Sequence, residues 1–194
     1  MLSPGQQAVK RIFDVAVSLV LLLILVFPIF VFVILATIET RQLGIFVQKR
    51  IGKNRKPFDI YKIRTLKGKN HSIEALQKEP GRVGKFLRKS KLDELPQLFN
   101  VLNGDMSMVG PRPDVAGYAD KLLGKDAVIL TVRPGITGPA SIKYKDEEKI
   151  LLLQSNPQEY NDTVVWRDKV KINRDYVNNW SFKKDIGYLL KLIF

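Results

Sequence analysis

The sequence predicts a mostly helical α+β protein, in which a long apolar N-terminal helix and a small β-hairpin precede several amphipathic helices. Three observations lead to this class. Residues 15–38 include 24 consecutive positions without a charged side chain. Residues 45–50 and 58–65 are rich in β-branched and aromatic side chains, and a polar, turn-forming link joins them. An apolar stripe with helical spacing follows at Leu92, Leu95, Leu98, Phe99 and Leu102.

The composition of the chain limits its chemistry and its partners. The absence of cysteine among 194 residues excludes disulfides, thiolate metal sites and a cysteine nucleophile. The single histidine, His71, lies in a polar stretch that predicts a solvated loop, so Ser-His-Asp catalysis and multi-histidine zinc sites lack their parts. The net charge of +13 predicts a polyanionic partner, which is nucleic acid, an anionic membrane surface or a phosphate-bearing substrate.

The uncharged stretch is long enough to enter a membrane. At ~1.5 Å per residue, a straight helix over residues 15–38 would reach across a hydrocarbon core of ~30 Å. Pro28 lies near the middle, where a proline removes a backbone donor and favours a break. Basic residues flank both ends, and such flanks prefer the cytoplasm. A kinked helix that crosses the membrane and a re-entrant helix that bends at Pro28 are equal alternatives at this point.

We divide the chain into residues 1–40, a membrane helix with a basic N-terminal flank, and residues 41–194, a membrane-associated domain that carries the candidate chemistry. The strongly basic second part is expected on the cytoplasmic side. Lys10 and Arg11 immediately precede the apolar stretch. We expect both at the lipid headgroups, where basic side chains attract anionic lipid phosphates.

Two adjacent carboxylates, Asp93 and Glu94, stand at the start of the apolar stripe. Because Pro96 is tolerated only in the first turn of a helix, both carboxylates are predicted at the positive end of that helix. Basic residues precede the pair, and Arg112 follows it between two prolines. Carboxylates among cations, near an arginine in a rigid turn, suggest chemistry on a phosphate. The alternative is an ordinary surface helix with acidic residues in its first turn.

Further basic side chains are candidates for binding phosphate oxygens. Alternation along the second strand places Lys62 and Arg64 on one face, and the alternative is a solvated strand face. The stiff, proline- and glycine-rich loop that begins at Arg133 would present this side chain to a ligand, unless it is an ordinary connection. Arg88 and Arg112 complete the set, because the guanidinium fork matches phosphate oxygens.

The remaining patterns predict elements around this core. Residues 115–123 show a helical stripe with Asp114 as its cap. Residues 128–132 form an apolar run that is typical of a buried strand. Residues 182–193 predict a basic amphipathic helix with Asp185 away from its apolar face. This last helix either lies among the lipid headgroups or packs on the core.

These segments together resemble the bacterial sugar transferases, which are monotopic phosphoglycosyl transferases of bacterial membranes. The resemblance covers residues 10–139, and the order and spacing of its motifs carry it. The motifs are KRIFD at 10–14, QKRIG at 48–52, YKIRT at 61–65, LDELPQLFN at 92–100, MVGPRP at 108–113 and VRPGITG at 132–138. After Gly138 the chain departs from the commonest pattern of this family, because it continues with PASIKYK.

The resemblance implies a magnesium-dependent transfer of a sugar phosphate from a UDP-sugar to a polyprenyl phosphate, such as undecaprenyl phosphate, with release of UMP. It implies that Asp93 is the nucleophile, that a covalent phosphosugar intermediate forms on it, and that it also contacts Mg²⁺. Glu94 either completes the metal shell or takes part in proton transfer.

The same resemblance implies a re-entrant helix, broken at Pro28. Such a helix keeps the protein monotopic on the cytoplasmic face of the bacterial inner membrane, where it would begin the membrane steps of glycoconjugate assembly. The resemblance leaves a homodimer as one possible oligomeric state.

Three other functions remain alternatives. A membrane-tethered nucleic-acid binder would explain the charge, but the sequence has no recognition-helix or stacking-aromatic pattern, so we expect no nucleic-acid partner. A non-enzymatic membrane scaffold would use Asp93 only as a helix cap. A membrane-tethered hydrolase would cleave the UDP-sugar with water and would need no lipid.

Overall fold

The computed structural model describes residues 2–68 and 79–193, and this part of the chain is mostly helical, with two small sheets. His71 lies outside the described residues. The α-helices are α1 (Pro4–Thr40), α2 (Arg82–Ser90), α3 (Gln97–Asn103), α4 (Pro139–Lys143), α5 (Glu147–Leu152), α6 (Pro157–Tyr160), α7 (Trp166–Asn178) and α8 (Phe182–Ile193). The strands are β1 (Ile45–Ile51), β2 (Pro57–Ile63), β3 (Ser107–Val109) and β4 (Gly135–Thr137). Short 3-10 helices cover Lys53–Arg55, Leu92–Glu94, Ala119–Lys121 and Gly124–Thr131, and a π-helical turn covers Asn161–Val165.

Helix α1 is one element of 37 residues. It begins with a capping box, in which the Ser3 hydroxyl accepts from the Gln6 backbone N–H and the Gln6 side chain accepts from the Ser3 backbone N–H. Pro28 lies inside the helix, and the helix continues on both sides of it, so the predicted break is replaced by an uninterrupted element. A proline removes a single N–H from the helical ladder, and packing against the rest of the protein stabilises both halves.

One face of α1 is buried along its length, and much of the opposite face is apolar and exposed. The buried side chains recur at steps of four and seven residues, at Lys10, Asp14, Ser18, Leu22, Ile29, Ala36 and Thr40. Large apolar side chains of α1 that are between 61% and 74% exposed are Ile12, Leu23, Ile24, Phe27, Phe30 and Ile38. Within the described ranges, α1 is the one helix long and apolar enough to cross a membrane, with a mean hydropathy of 3.4 over its most apolar segment.

Strands β1 and β2 form the predicted antiparallel hairpin, in which Phe46 lies opposite Lys62. Helix α3 packs against both this hairpin and α1. The buried Asn100 of α3 bonds to the backbone of β2: its Nδ2 donates to Asp59 O at 2.7 Å, and its Oδ1 accepts from the Tyr61 N–H at 3.1 Å. Two hydrogen bonds therefore attach α3 to the hairpin and set the position of the turn that precedes α3.

A second sheet pairs β3 with β4 in parallel, and the sequence did not predict it. Each strand has three residues, which is too short to show a periodicity. Glycine is required where the two chains meet, because a Cβ added to Gly135 would lie 2.1 Å from the Gly110 nitrogen. This contact holds the turn that carries Arg112 against the loop that carries Arg133.

Two predicted elements between β3 and α4 are wrong. The stripe at residues 115–123 forms only a single 3-10 turn, because Gly117 has a φ of +102°, which a helix cannot accommodate. Residues 128–131 belong to the 3-10 helix Gly124–Thr131 and not to a strand. The burial of this apolar run was predicted correctly, but a short apolar run does not distinguish a buried strand from a buried helical segment.

Helix α8 packs on the core and places Asp185 inside the protein, although this residue lies away from the apolar face that the sequence predicted. The side chain is 1% exposed. It accepts hydrogen bonds from Lys10 Nζ, from the Tyr176 hydroxyl at 2.7 Å and from Trp180 Nε1 at 3.0 Å. A buried carboxylate needs such partners, because desolvation of an unpaired charge is costly. The C-terminal helix therefore packs on the N-terminal part of α1.

We expect Lys10→Met to lower the free energy of unfolding by about 3–5 kcal/mol, because the Asp185 carboxylate stays buried without its cation. Denaturant unfolding of the detergent-solubilised protein measures this change. Lys183→Met, at an exposed position of α8, is the matched control and should change the free energy by less than about 0.5 kcal/mol. Equal losses in the two variants would contradict the buried ion pair.

Candidate active site

Asp93 and Glu94 lie in the tight 3-10 turn Leu92–Glu94, one turn before α3. This corrects the prediction that they occupy the first turn of the helix itself. Pro96 caps α3, in agreement with the expectation that the helix begins at this proline. Lys91 adopts a left-handed conformation with φ of 58° and joins α2 directly to the turn. The carboxylates therefore stand on a short, sharply bent segment between two helices.

Glu94 is buried and fully paired with cations. Lys62 Nζ of β2 donates to its Oε1 at 2.9 Å, and Arg112 Nη2 donates to the same oxygen at 2.7 Å. Burial alone would raise the pKa of Glu94, but Arg112 and Lys62 together outweigh it and hold the pKa well below its usual range. Glu94 is therefore a permanent anion that positions two cations beside Asp93.

Asp93 has the opposite environment. Its Oδ1 is buried and has no hydrogen-bond partner among the described residues. Burial, and next the charge of Glu94, raise the pKa of Asp93 to about 6, although Lys62, Lys91 and Arg112 act against this shift. Asp93 is thus ionised at neutral pH, and one of its oxygens is available to bond to a substrate or a cation.

The structure adds Arg50 and Asp114 to the site, and the sequence analysis did not select them for it. Arg50 Nη1 donates to Pro113 O at 3.3 Å, and its buried Nε has no partner among the described residues. Burial, and next the nearby Arg112, lower the pKa of Arg50 to about 10. Burial raises the pKa of Asp114 to about 6, against the charges of Lys169 and Arg50. One sequence signal could have pointed to Arg50: strand alternation in β1 places Gln48 and Arg50 on the same face.

Of the predicted phosphate-binding residues, Lys62 and Arg112 join the carboxylate pair. Arg88 lies on the last turn of α2, and its guanidinium bonds to Glu148 of α5. This ion pair links the segment before Asp93 to α5.

Arg64 does not join the pair. It follows β2 directly, its backbone N–H donates to Gly44 O at 2.7 Å, and its guanidinium donates to Leu43 O at 2.8 Å and to Gly68 O at 2.9 Å. Its guanidinium also stacks over Phe46. Because Phe46 lies opposite Lys62 in the hairpin, Arg64 does share the predicted face with Lys62, but no described contact joins it to the carboxylate pair.

Arg133, Lys10 and Arg11 lie away from the turn that carries Asp93 and Glu94. Arg133 Nε donates to Gly104 O at 2.6 Å, at the C-terminal end of α3, whereas the carboxylates precede its N-terminal end. Seven residues of α3 separate the two places by about 10 Å. Lys10 is buried against Asp185, so the expected headgroup contact of this ammonium is replaced by an internal ion pair. Arg11 donates to two carbonyls of α3 and is partly buried.

This arrangement suits group transfer at phosphorus. A carboxylate with an unbonded oxygen stands among cations, and two of these cations are themselves held by a second carboxylate. The exposed apolar face of α1 is long and apolar enough for contact with a membrane. The fold and the site thus have the features expected of a membrane-associated transferase.

Comparison with known proteins gives the family. The chain belongs to the bacterial sugar transferase family, with residues 5–194 matched, which confirms the resemblance seen in the sequence. It is 44% identical, over 147 residues, to a putative undecaprenyl-phosphate N-acetylgalactosaminyl 1-phosphate transferase of Bacillus subtilis; the match covers 73% of this chain and 81% of that protein.

Two further relatives are more distant. The chain is 33% identical to a UDP-glucose:undecaprenyl-phosphate glucose-1-phosphate transferase of Caulobacter vibrioides, over 95% of this chain and 68% of that protein. It is 32% identical to an undecaprenyl-phosphate galactose phosphotransferase of Salmonella typhimurium, where the match covers 94% of this chain and 39% of the longer relative.

We expect Lys62→Met to lower transferase activity at least tenfold, because Glu94 then draws Arg112 towards itself without a second cation. Arg64→Met removes a cation two residues away and should leave the activity of the folded protein within twofold, with a loss of about 1 kcal/mol in stability. Membrane fractions normalised to folded protein provide the measurement. Similar activities in the two variants would contradict the placement of Lys62.

Proposed function

We propose that the chain transfers a sugar-1-phosphate from a UDP-sugar to a polyprenyl phosphate, of which undecaprenyl phosphate is the expected form, and releases UMP. The names of its relatives support the lipid acceptor and the nucleotide-sugar donor. The observation that carries the proposal is the contrast within the carboxylate pair: Glu94 is neutralised by two cations, whereas Asp93 Oδ1 has no described partner.

Asp93 acts as the nucleophile in this proposal. Its Oδ1 attacks the sugar-proximal phosphorus, the bond from this phosphorus to the bridging oxygen breaks, and UMP leaves with the electron pair. An oxygen of the lipid phosphate then attacks the same phosphorus. The bond to Asp93 breaks, and the carboxylate is regenerated.

The cations around Asp93 reduce the repulsion between the nucleophile and the diphosphate. Two unit charges at ~4 Å repel by about 4 kcal/mol at an effective dielectric constant near 20. That penalty slows a reaction by roughly a thousandfold. Lys62, Lys91 and Arg112 all stabilise negative charge at Asp93. The buried Arg50, with its unpaired Nε, is a further donor for substrate oxygens.

The side chains around Asp93 fit a magnesium ion that is held jointly with the substrate. Mg²⁺ is bound by one or two carboxylates together with substrate phosphates, and it keeps several waters. Within the described ranges, no group of three or more candidate ligand side chains occurs, and Asp93 Oδ1 is a buried oxygen without a partner. Asp93 would hold the ion, which supplies charge neutralisation for the diphosphate when bound.

The contacts of α1 support a re-entrant placement. Near its N-terminal end, Lys10 pairs with Asp185 of α8, and Asp14 accepts from the Met108 N–H of β3 at 2.9 Å. At its other end, the Glu39 carboxylate accepts from the Val83 and Gly84 N–H groups of α2. A helix that bends inside the membrane, and whose two ends are attached to one body, has both ends on the same side, and we propose that the bend lies at Pro28 within the continuous helix. We therefore place the protein as monotopic, at the cytoplasmic face of the inner membrane.

Incubation with a panel of UDP-sugars and magnesium, without lipid, should add the mass of one phosphosugar to the intact protein and release UMP. Asp93→Asn should abolish the adduct and nearly all transfer, because an amide is a poor nucleophile. Asp175→Asn makes the same mass change at an exposed position of α7 and should retain both. A sugar phosphate released without an adduct and without lipid would favour the hydrolase.

The chain contains no cysteine, so single cysteines report its topology. Ala8→Cys and Lys183→Cys each introduce one cysteine at an exposed position, one near each end of the chain. Both should react with a membrane-impermeant maleimide in inverted vesicles and not in intact spheroplasts. Labelling of Ala8→Cys from the outer side would show that α1 crosses the membrane, contrary to the proposal.

A further inference from the structure

A second group of cations lies at the C-terminal end of α3, away from the carboxylate pair. Arg11 of α1, Lys53 of the link between β1 and β2, and Arg133 of the loop before β4 line one cavity there. The two guanidinium groups converge on Gly104, where an added Cβ would lie 3.5 Å from Arg11 Nη2 and 3.9 Å from Arg133 Nη2. Three separate elements thus bring three positive charges together.

None of these three cations forms an ion pair with a described carboxylate. Arg11 donates to Val101 O and Leu102 O, Arg133 Nε donates to Gly104 O, and Lys53 Nζ donates to Gln7 Oε1. The remaining charged groups that line the cavity, Lys10 and Asp14, have their own partners. Lys10 pairs with Asp185, and Asp14 accepts from Ser107 Oγ and from the Met108 N–H.

Most donors of the cluster stay available for a ligand. A guanidinium group has five N–H donors, and an ammonium group has three. Arg133 uses only Nε in the described contacts, so both of its Nη groups remain, and Lys53 uses one donor of three. Burial, and next the charge of Arg133, lower the pKa of Lys53, as expected where positive charges are held close together.

Helix capping explains only part of the cluster. Cations near a helix C-terminus interact favourably with its carbonyls, and this accounts for the contacts of Arg11 and Arg133 with α3. It does not account for Lys53, which contacts no carbonyl of α3 in the described structure. An anion that is bonded by all three side chains accounts for their convergence, and phosphate oxygens suit the arginine fork best.

The position on α1 indicates where the phosphate comes from. Val9 and Ile12, on the same turn of α1 as Arg11, are 52% and 71% exposed. Lipid chains would lie along this apolar face, while a phosphate at the membrane surface would reach the cations. We propose that Arg11, Lys53 and Arg133 bind the phosphate of a membrane lipid at a site separate from Asp93. The inference rests on the membrane placement of α1 and not on the chemistry at Asp93.

The test uses the full chain in micelles of a neutral detergent. Short-chain phosphatidylglycerol, a short prenyl phosphate, inorganic phosphate and short-chain phosphatidylcholine are titrated separately, and the affinity is measured by calorimetry. We expect saturable binding of at least one of the first two lipids. Phosphatidylcholine and inorganic phosphate should bind at least a hundredfold more weakly, and the tighter anionic lipid identifies the source of the phosphate.

Lys53→Gln is the decisive variant, because it leaves the contacts of both arginines with α3 intact. It should weaken lipid binding at least tenfold, and Arg133→Gln should do the same. Lys56→Gln, at an exposed position of the same link, is the matched control and should keep the affinity of the unaltered chain. The affinity for phosphatidylglycerol, which is not a substrate at Asp93, should also be kept in Asp93→Asn, which separates this site from the catalytic one.

Two results would overturn the inference: equal lipid affinity in Lys53→Gln and the unaltered chain, or inorganic phosphate that binds as tightly as the lipids. Adduct formation at Asp93 is measured on the same preparations. Failure of the proposed transfer chemistry would therefore appear as a missing adduct, independent of the lipid affinities.

Discussion

The attachment of α1 to the rest of the protein is the constraint on which the other features depend. Its buried stripe ends in charged groups that bond to distant segments: Lys10 to Asp185 and Asp14 to the backbone of β3. A charged group is costly to bury without a partner. The observed position of α1, in which these groups are paired, is therefore strongly favoured over positions that are shifted along the helix axis or rotated about it. The same helix presents a large apolar surface on its other side. The membrane-facing element and the body are consequently one packed unit in the described residues.

Helix α3 fixes the position of the carboxylate pair relative to α1. It packs on α1 and bonds to β2 through Asn100, so its seven residues have a defined position relative to both. The turn that carries Asp93 and Glu94 precedes its N-terminal end, and the second cation cluster lies at its C-terminal end. The two sites therefore keep a constant separation, and both keep a constant position relative to the exposed face of α1.

The carboxylate pair illustrates how one local sequence gives two different groups. Asp93 and Glu94 are neighbours in the chain, but the turn directs Glu94 into contact with Lys62 and Arg112, whereas Asp93 Oδ1 has no described partner. The resulting difference in pKa comes from burial and from the cations, which are contributed by β2 and by the turn after β3. A carboxylate that permanently holds the cations leaves its neighbour available for chemistry.

The sequence alone determined the apolar helix, the hairpin, the family and the carboxylate pair, because these depend on composition, short-range periodicity and local motifs. It did not predict the parallel pairing of β3 and β4, the burial of Asp185 or the presence of Arg50 at the site. It also assigned Arg64 and Arg133 to one group with Lys62. Only the tertiary structure decided which cations meet which carboxylates, because those contacts join residues far apart in the chain, and local patterns contain no information about such distances.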